Sequence, residues 1–296
     1  MLSVLIGLAA AVAYGSGDFL GGLAARRLPP LRVTAISAAS GLVLLVVLLA
    51  VVPGTPSGAA VGWGVASGVA GAVSIALLYA CLAVGPMSIL SPLTAVVSAI
   101  VPVGVGLLQG SRLGVAGWAG IALALVAVVL VGFVPDASAP RPTALGLLMA
   151  LGAGAGIGVV LVFLDQTPDD SGLVPLVANR VTNVVLTGGA VAVLALVALS
   201  RARGGAGSVA RTGPSGLRLA SALRIALLCG LADAGANVLI LVGLRLGDLT
   251  VMSVLTALYS AVTVVLAAAV LRERLTRSQV VGLVLALGAA VLLALD

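Results

Sequence analysis

Histidine and lysine are absent from this chain of 296 residues, and only 8% of its residues are charged. Without histidine, no imidazole is available to relay a proton or to bind a metal near neutral pH. Without lysine, no Ser-Lys pair is available for nucleophilic catalysis. The two cysteines, Cys81 and Cys229, lie far apart in apolar runs and have no metal-site or redox spacing. The composition therefore argues against an enzyme, a metal site and a bound cofactor.

Apolar residues are abundant instead, at 61% of the chain and a mean hydropathy of +1.32. An ordinary soluble domain is about 45–50% apolar and about 25% charged. Because about 20 apolar residues cross a bilayer as a helix, the chain can hold ten spans with short connections. The sequence predicts an all-α integral membrane protein with helices near 2–23, 33–52, 59–84, 88–108, 114–134, 143–164, 173–199, 219–244, 249–271 and 275–295.

An internal repeat is visible when the chain is shifted by about 162 residues. The shift aligns LTAVVSA with LTALYSA, SRL with ERL, and GIALALVAVVL with GLVLALGAAVL. It predicts two repeats, residues 1–136 and 137–296, with five helices each. Because five is odd, the two repeats have opposite orientations in the membrane. Inverted repeats of this kind are typical of secondary transporters whose substrate site lies near the midplane.

Three stretches resemble the two EamA-type repeats of the drug/metabolite transporter superfamily. They are AARRLPPLRVTAISAASGLVLLVV, YACLAVGPMSILSPLTAVVSAIVPVGVGL and VLRERLTRSQVVGLVLALGAAVLL, of which the last is the most specific. The resemblance implies ten helices in two inverted five-helix repeats around a central cavity. It also implies a carrier that exports amino acids, other small metabolites or drugs. In the first repeat, Ser111 replaces the Glu that the family usually has before Arg-Leu.

Asp18 is the only charge between Leu2 and Leu23. A charged side chain near the middle of a span costs roughly 2.5–3.5 kcal/mol, so such residues are functional candidates by default. Tyr14 lies four residues earlier, on the same helical face. The functional interpretation is a carboxyl group that exchanges a proton or holds a cationic substrate. The structural alternative is a hydrated residue near the helix end, or one paired with an Arg. The repeat counterpart of Asp18 is Ile157.

The seventh and eighth spans carry the other intramembrane polar residues. Asn179, Arg180 and Asn183 share one helical face, where Arg180 either hooks a substrate carboxylate or snorkels to the membrane surface. In the eighth span, Asp233 and Asn237 also share a face. Two carboxylates in opposite halves suit proton-coupled exchange. An ion pair between Arg180 and Asp233 explains the same charges equally well.

Small polar residues follow the same spacing in the fourth and ninth spans. Either these stripes line the cavity or they let helices pack closely, and packing is the stronger interpretation. The string GAGAGIG (152–158) lacks the glycine spacing of a dinucleotide site, and its glycines are predicted to serve helix packing. The stripe residues are Ser91, Thr94 and Ser98 in the first half and Ser253, Thr256 and Ser260 in the second.

All 15 basic residues are Arg, and most of them follow odd-numbered spans. Arg112 and Arg245 are the exceptions in the loops after even-numbered spans. The positive-inside rule therefore places both termini outside. The resemblance instead implies termini in the cytoplasm, so both orientations stay open. The net charge of +6 is expected to face lipid headgroups rather than nucleic acid, because the chain has no solvated basic face.

Together these features predict a multi-pass secondary carrier of the cytoplasmic membrane. No nucleotide-binding motif is present, so a proton or substrate gradient is the expected energy source. The first expectation is export of amino acids or other small metabolites by alternating access, and the second is export of drugs or quaternary cations. Rivals of another class are an intramembrane enzyme and a membrane protein that transports nothing. Monomer and homodimer are both open.

Overall fold

The structure is a computed structural model that describes residues 2–52, 54–84, 87–132, 143–203, 216–272 and 275–295. Side chains 79, 81–89, 91–92, 201–203 and 216–218 are not described. This part of the chain is helical and contains no strand. The helices are α1 (Leu2–Ala25), α2 (Pro30–Val51), α3 (Gly58–Val84), α4 (Met87–Leu108), α5 (Val115–Gly132), α6 (Ala144–Asp165), α7 (Val174–Arg203), α8 (Gly216–Leu246), α9 (Leu249–Ala257), α10 (Tyr259–Leu271) and α11 (Arg277–Leu295).

These helices confirm the predicted all-α membrane fold. Nine spans within the described residues are long and apolar enough to cross a bilayer, and α9 and α10 together form one of them. The tenth is α4, whose described apolar part, Leu93–Leu108, is shorter. The ninth span is divided at Leu258, a break that the apolar pattern did not predict.

Local sequence signals fix several of the helix starts. Pro30 occupies the first turn of α2, where a missing N–H costs no hydrogen bond. Thr143 caps α6 by accepting from the backbone N–H of Gly146 at 3.1 Å. Asp248 caps α9 in the same way, accepting from the N–H of Thr250 at 2.8 Å. The short connections around these caps keep consecutive spans antiparallel.

The helices pack with a twofold pattern. The most extensive pairs include α1 with α8 and α3 with α6, and further pairs join α2 to α8 and α3 to α7. Each helix has a counterpart five spans along the chain. Replacing both helices by their counterparts turns the pair α1–α8 into α6–α3, and the pair α2–α8 into α7–α3. This is the packing that two inverted five-helix repeats produce.

The contact between α5 and α11 shows the same relation residue by residue. A Cβ on Gly120 would lie 2.9 Å from Leu293, and a Cβ on Gly282 would lie 2.8 Å from Val131. Gly282 is 162 positions after Gly120, and Leu293 is 162 positions after Val131. The contact is therefore self-complementary, as an interface across a twofold axis must be. The predicted domain boundary at 136/137 lies outside the described residues and stays a prediction.

Candidate functional site

Asp18 projects from the inner side of α1. The lipid-exposed residues of this helix, such as Leu5 and Val12, lie on the opposite side. Neighbouring positions place the carboxylate between two helices, since Gly17 lies against α8 and Gly15 lies against α10. Asp18 itself is exposed, and it forms no salt bridge within the described residues. It is therefore an accessible carboxylate in the interior of the bundle.

Arg180 and Asp233 form an ion pair between α7 and α8, with Nη2 of Arg180 donating to Oδ2 of Asp233. Their side chains are only 11% and 26% exposed. The guanidinium therefore does not snorkel to the membrane surface, one of the two interpretations of the sequence. Gly41 of α2 also lies near the pair, since a Cβ there would be 3.6 Å from Nε of Arg180. The pair neutralises its own two charges and does not include Asp18.

A fourth helix, α10, brings an aromatic residue to the cluster of Asp18, Arg180 and Asp233. The ring of Tyr14 contacts the ring of Tyr259 in α10, with centroids 5.2 Å apart and planes tilted by 60°. The phenol of Tyr14 lies within electrostatic range of Asp18, Asp233 and Arg180. Asp18 is also close enough to Asp233 for the charge of one to act on the other. With both carboxylates ionised, the cluster carries a net charge of −1.

The side-chain amides of Asn179, Asn183 and Asn237 form hydrogen bonds next to this cluster on α7 and α8. Nδ2 of Asn179 donates to Oγ of Ser67 in α3 at 2.7 Å. Nδ2 of Asn183 donates to the side-chain and backbone oxygens of Asn179, both at 3.1 Å. Nδ2 of Asn237 donates to the backbone oxygen of Asp233 at 2.7 Å. All three Asn side chains thus form hydrogen bonds within one helix or between helices. These bonds hold α7 and α8 in position around the ion pair.

The small polar stripes lie in the helix packing. Thr94 is buried and donates to the backbone oxygens of Leu90 and Ala150 at 2.9 and 3.2 Å. Its counterpart Thr256 is also buried, but its hydroxyl has no hydrogen-bond partner among the described residues. Ser260 donates to the backbone oxygen of Ala257 at 3.3 Å. The remaining predicted stripe residue, Ser91, has its side chain outside the described residues.

Sequence reasoning missed two residues that touch the site. Tyr259 belongs to LTALYSA, and its counterpart in the first repeat is Val97. A bulky polar residue that replaces a small apolar one in an otherwise similar motif is a signal that could have identified it. Ser67 gave no such signal, because a lone Ser in an apolar span usually bonds to its own helix.

Each of the three charged residues of the cluster has an uncharged counterpart in the repeat to which it does not belong. Reciprocal contacts fix the alignment, since Thr182 lies against Gly68 and Ser40 lies against Gly230. On this alignment the counterpart of Arg180 is Ala38, and that of Asp233 is Gly71. The pseudo-twofold axis thus relates an ion pair to two small apolar residues. Since the counterpart of Asp18 is Ile157, the three charges lie on one side of the axis.

Comparison with known proteins bears on this arrangement. The model of the EamA-like transporter family matches residues 144–295, more than half of the chain. The chain belongs to the EamA-like transporter family. It is therefore a multi-pass membrane protein of transporter type, and its family consists of transporters rather than enzymes. The match spans α6 to α11 and includes Arg180, Asp233 and Tyr259.

The architecture of this EamA-like transporter also occurs in a solved structure described as "Crystal structure of protein". The likeness has a TM-score of 0.71 and covers 99% of this chain and 96% of that one, at 17% sequence identity. At this identity the likeness shows the fold alone. No curated protein matches the chain.

Proposed function

We propose that this protein exports amino acids or other small metabolites with an amino group across the cytoplasmic membrane by alternating access, in exchange for protons. Asp18 carries the proposal, because it is an accessible carboxylate without an ion pair among the described residues. A charge kept inside a bilayer without a counter-ion is costly unless it binds something. In this proposal the Arg-rich end of the helices faces the cytoplasm, as the positive-inside rule requires.

The charge balance of the cluster supports exchange. Two carboxylates and one guanidinium leave a net charge of −1 when all are ionised. One proton or one substituted ammonium group brings this charge to zero. Because Arg180 keeps its charge and stays paired with Asp233, the exchangeable position is Asp18. Proton and substrate then compete for the same carboxylate, which couples their movements.

Export of quaternary cations is the second candidate, and the ring contact between Tyr14 and Tyr259 favours it. A cation without N–H groups binds aromatic faces by cation–π attraction, worth about 0.5–2 kcal/mol per ring. A primary ammonium group instead donates hydrogen bonds to the Asp18 carboxylate. Replacement of Tyr259 by Leu should therefore weaken transport of a quaternary cation more than that of an amino acid.

Transport into proteoliposomes tests the proposal. The wild type, Asp18→Asn and Ser16→Ala are compared with labelled amino acids and a labelled quaternary ammonium ion, with and without a pH gradient. Ser16 is the matched control, since its hydroxyl donates to the backbone oxygen of Val12 in its own helix at 2.7 Å. We expect gradient-driven transport in the wild type and Ser16→Ala, and its loss in Asp18→Asn.

Unchanged transport by Asp18→Asn would contradict the role of this carboxylate and direct the search to Arg180 and Asp233. Transport of only the quaternary ion by the wild type would favour the second candidate. A wild-type protein that moves neither class, with or without the gradient, would contradict both candidates.

A further inference from the structure

One end of the bundle is tied together by hydrogen bonds between connections. We call it the acidic end; it contains the connections after α2, α4, α6 and α8, with Asp169, Asp170 and Asp248. The backbone N–H of Thr55 donates to the backbone oxygen of Asp170 at 2.9 Å. Oγ of Ser111 donates to Oδ1 of Asp248 at 2.6 Å. Both bonds join the first half of the chain to the second.

Arg245, in the last turn of α8, strengthens this end. Its guanidinium donates to the backbone oxygen of Asp169, to Oγ of Ser171 at 3.0 Å and to Oγ1 of Thr167 at 3.4 Å. All three acceptors belong to the connection between α6 and α7, the same connection that Thr55 binds. One side chain thus fastens the end of α8 to a segment that is itself fastened to the first half. Hydrogen bonds from a charged donor are roughly twice as strong as neutral ones.

An apolar layer lies directly beneath these bonds. Five of its residues are at most 2% exposed, and they come from five different helices. They sit within about two turns of the acidic end of each helix. The layer closes the space between this end and the charged cluster. These residues are Leu45 of α2, Leu164 of α6, Leu176 of α7, Ile240 of α8 and Met252 of α9.

The inner face of α1 shows that closure is confined to that end. Gly7 and Ala11 lie on this face near the acidic end, and both are buried. Asp18 and Gly22 continue the same face toward the opposite, Arg-rich end, and both are exposed. A Cβ on Gly22 would meet no atom of the described residues within 4 Å. The space beside α1 therefore widens from the acidic end toward the Arg-rich end.

We propose that Arg245 is a gate residue whose bonds hold the acidic end closed, while the charged cluster is open to the Arg-rich end. The inference rests on the proposed transport function only in that a carrier must open both ends in turn. Loss of the Arg245 bonds shifts the population toward the state that is open at the acidic end. A shift of about 1.4 kcal/mol corresponds to tenfold in that equilibrium.

The native Cys229 provides a reporter on the open side. It is half-buried in α8, between the cluster and the Arg-rich end, and a Cβ on Gly21 of α1 would lie 3.2 Å from its Sγ. With Cys81→Ala it becomes the only cysteine of the chain. A second reporter is Ile240→Cys in the apolar layer, made without the two native cysteines. Labelling rates are measured with a charged, membrane-impermeant methanethiosulfonate reagent applied to both sides of the membrane.

We expect Cys229 to be labelled faster than the thiol introduced by Ile240→Cys in the otherwise native protein. Arg245→Gln should raise the rate at position 240 relative to the rate at Cys229 by about tenfold. Ser171→Ala removes one acceptor and should raise the same ratio by less. Arg224→Gln is the matched control, because Arg224 is an exposed Arg of the same helix near its other end.

Three results would overturn the proposal. They are a Cys229 that is labelled no faster than position 240 in the native background, an unchanged rate ratio in Arg245→Gln that runs as a monodisperse protein, or an equal change of that ratio in Arg224→Gln. Labelling needs no substrate, so it is independent of the transport assay. A shift in labelling with no transport by the wild type would refute the proposed function and leave the gate standing.

Discussion

Replacing Asp233 by Asn is predicted to destabilise the protein more than replacing Arg180 by Gln. The guanidinium keeps its charge at every accessible pH, and at 11% exposure it would be left without its counter-ion. Breaking a buried pair from one side costs about 3–5 kcal/mol, and the residual exposure of both groups lowers our expectation to about 2–3 kcal/mol. When Arg180 is lost, the carboxylate left unpaired belongs to the more exposed partner, Asp233 at 26%, so we expect a smaller cost of about 1–2 kcal/mol.

The double variant Arg180→Gln/Asp233→Asn leaves neither charge behind, so its cost should be smaller than the sum of the two single costs. Equilibrium denaturation in detergent micelles measures both, with the double variant completing the cycle. A double variant whose cost equals the sum of the single costs within about 0.5 kcal/mol would refute the coupling, as would a larger cost for Arg180→Gln.

Two further predictions concern packing. Gly282→Ala should destabilise by about 1–3 kcal/mol, since its Cβ would lie 2.9 Å from the backbone nitrogen of Val131. Gly188→Ala should be neutral or slightly stabilising, since its Cβ would meet no atom of the described residues within 4 Å. Thermal unfolding in detergent compares them, and equal midpoints would contradict the close approach of α5 and α11. Thr256→Val removes a buried hydroxyl that has no partner among the described residues and should stabilise by about 1 kcal/mol, while Thr94→Val loses two acceptors and should destabilise by about 1 kcal/mol. Denaturant midpoints test the opposite signs, and a loss of stability in both would show that Thr256 is satisfied.

The fold was largely predictable because length and hydropathy limit a membrane chain to few structures. With lipid around it, each apolar run of about 20 residues must satisfy its own backbone, and a helix does so. The ten predicted spans accordingly correspond to α1 through α11. The break at Leu258 was not predictable, because no Pro or Gly marks it.

The site was predictable in its charges and not in its partners. Asp18, Arg180 and Asp233 were identified because each is expensive in a bilayer, whatever surrounds it. Which acid pairs with Arg180 depends on the relative rotation of α1, α7 and α8, which no pattern within one helix encodes. For that reason the sequence did not decide whether Arg180 pairs with Asp233 or binds a substrate carboxylate. Tyr259 and Arg245 were also not predictable, since their contacts are with residues far away in the chain.

The self-complementary contact between α5 and α11 has a consequence for movement. When two inverted halves exchange conformations, every contact is replaced by its counterpart across the axis. Contacts between Gly120 and Leu293 and between Gly282 and Val131 are already each other's counterparts. They are therefore conserved through the exchange, whereas Arg245 and the apolar layer are not. In the proposed alternating access, the two helices therefore act as a fixed spine, and the remaining helices rearrange around it without separating the halves of the molecule.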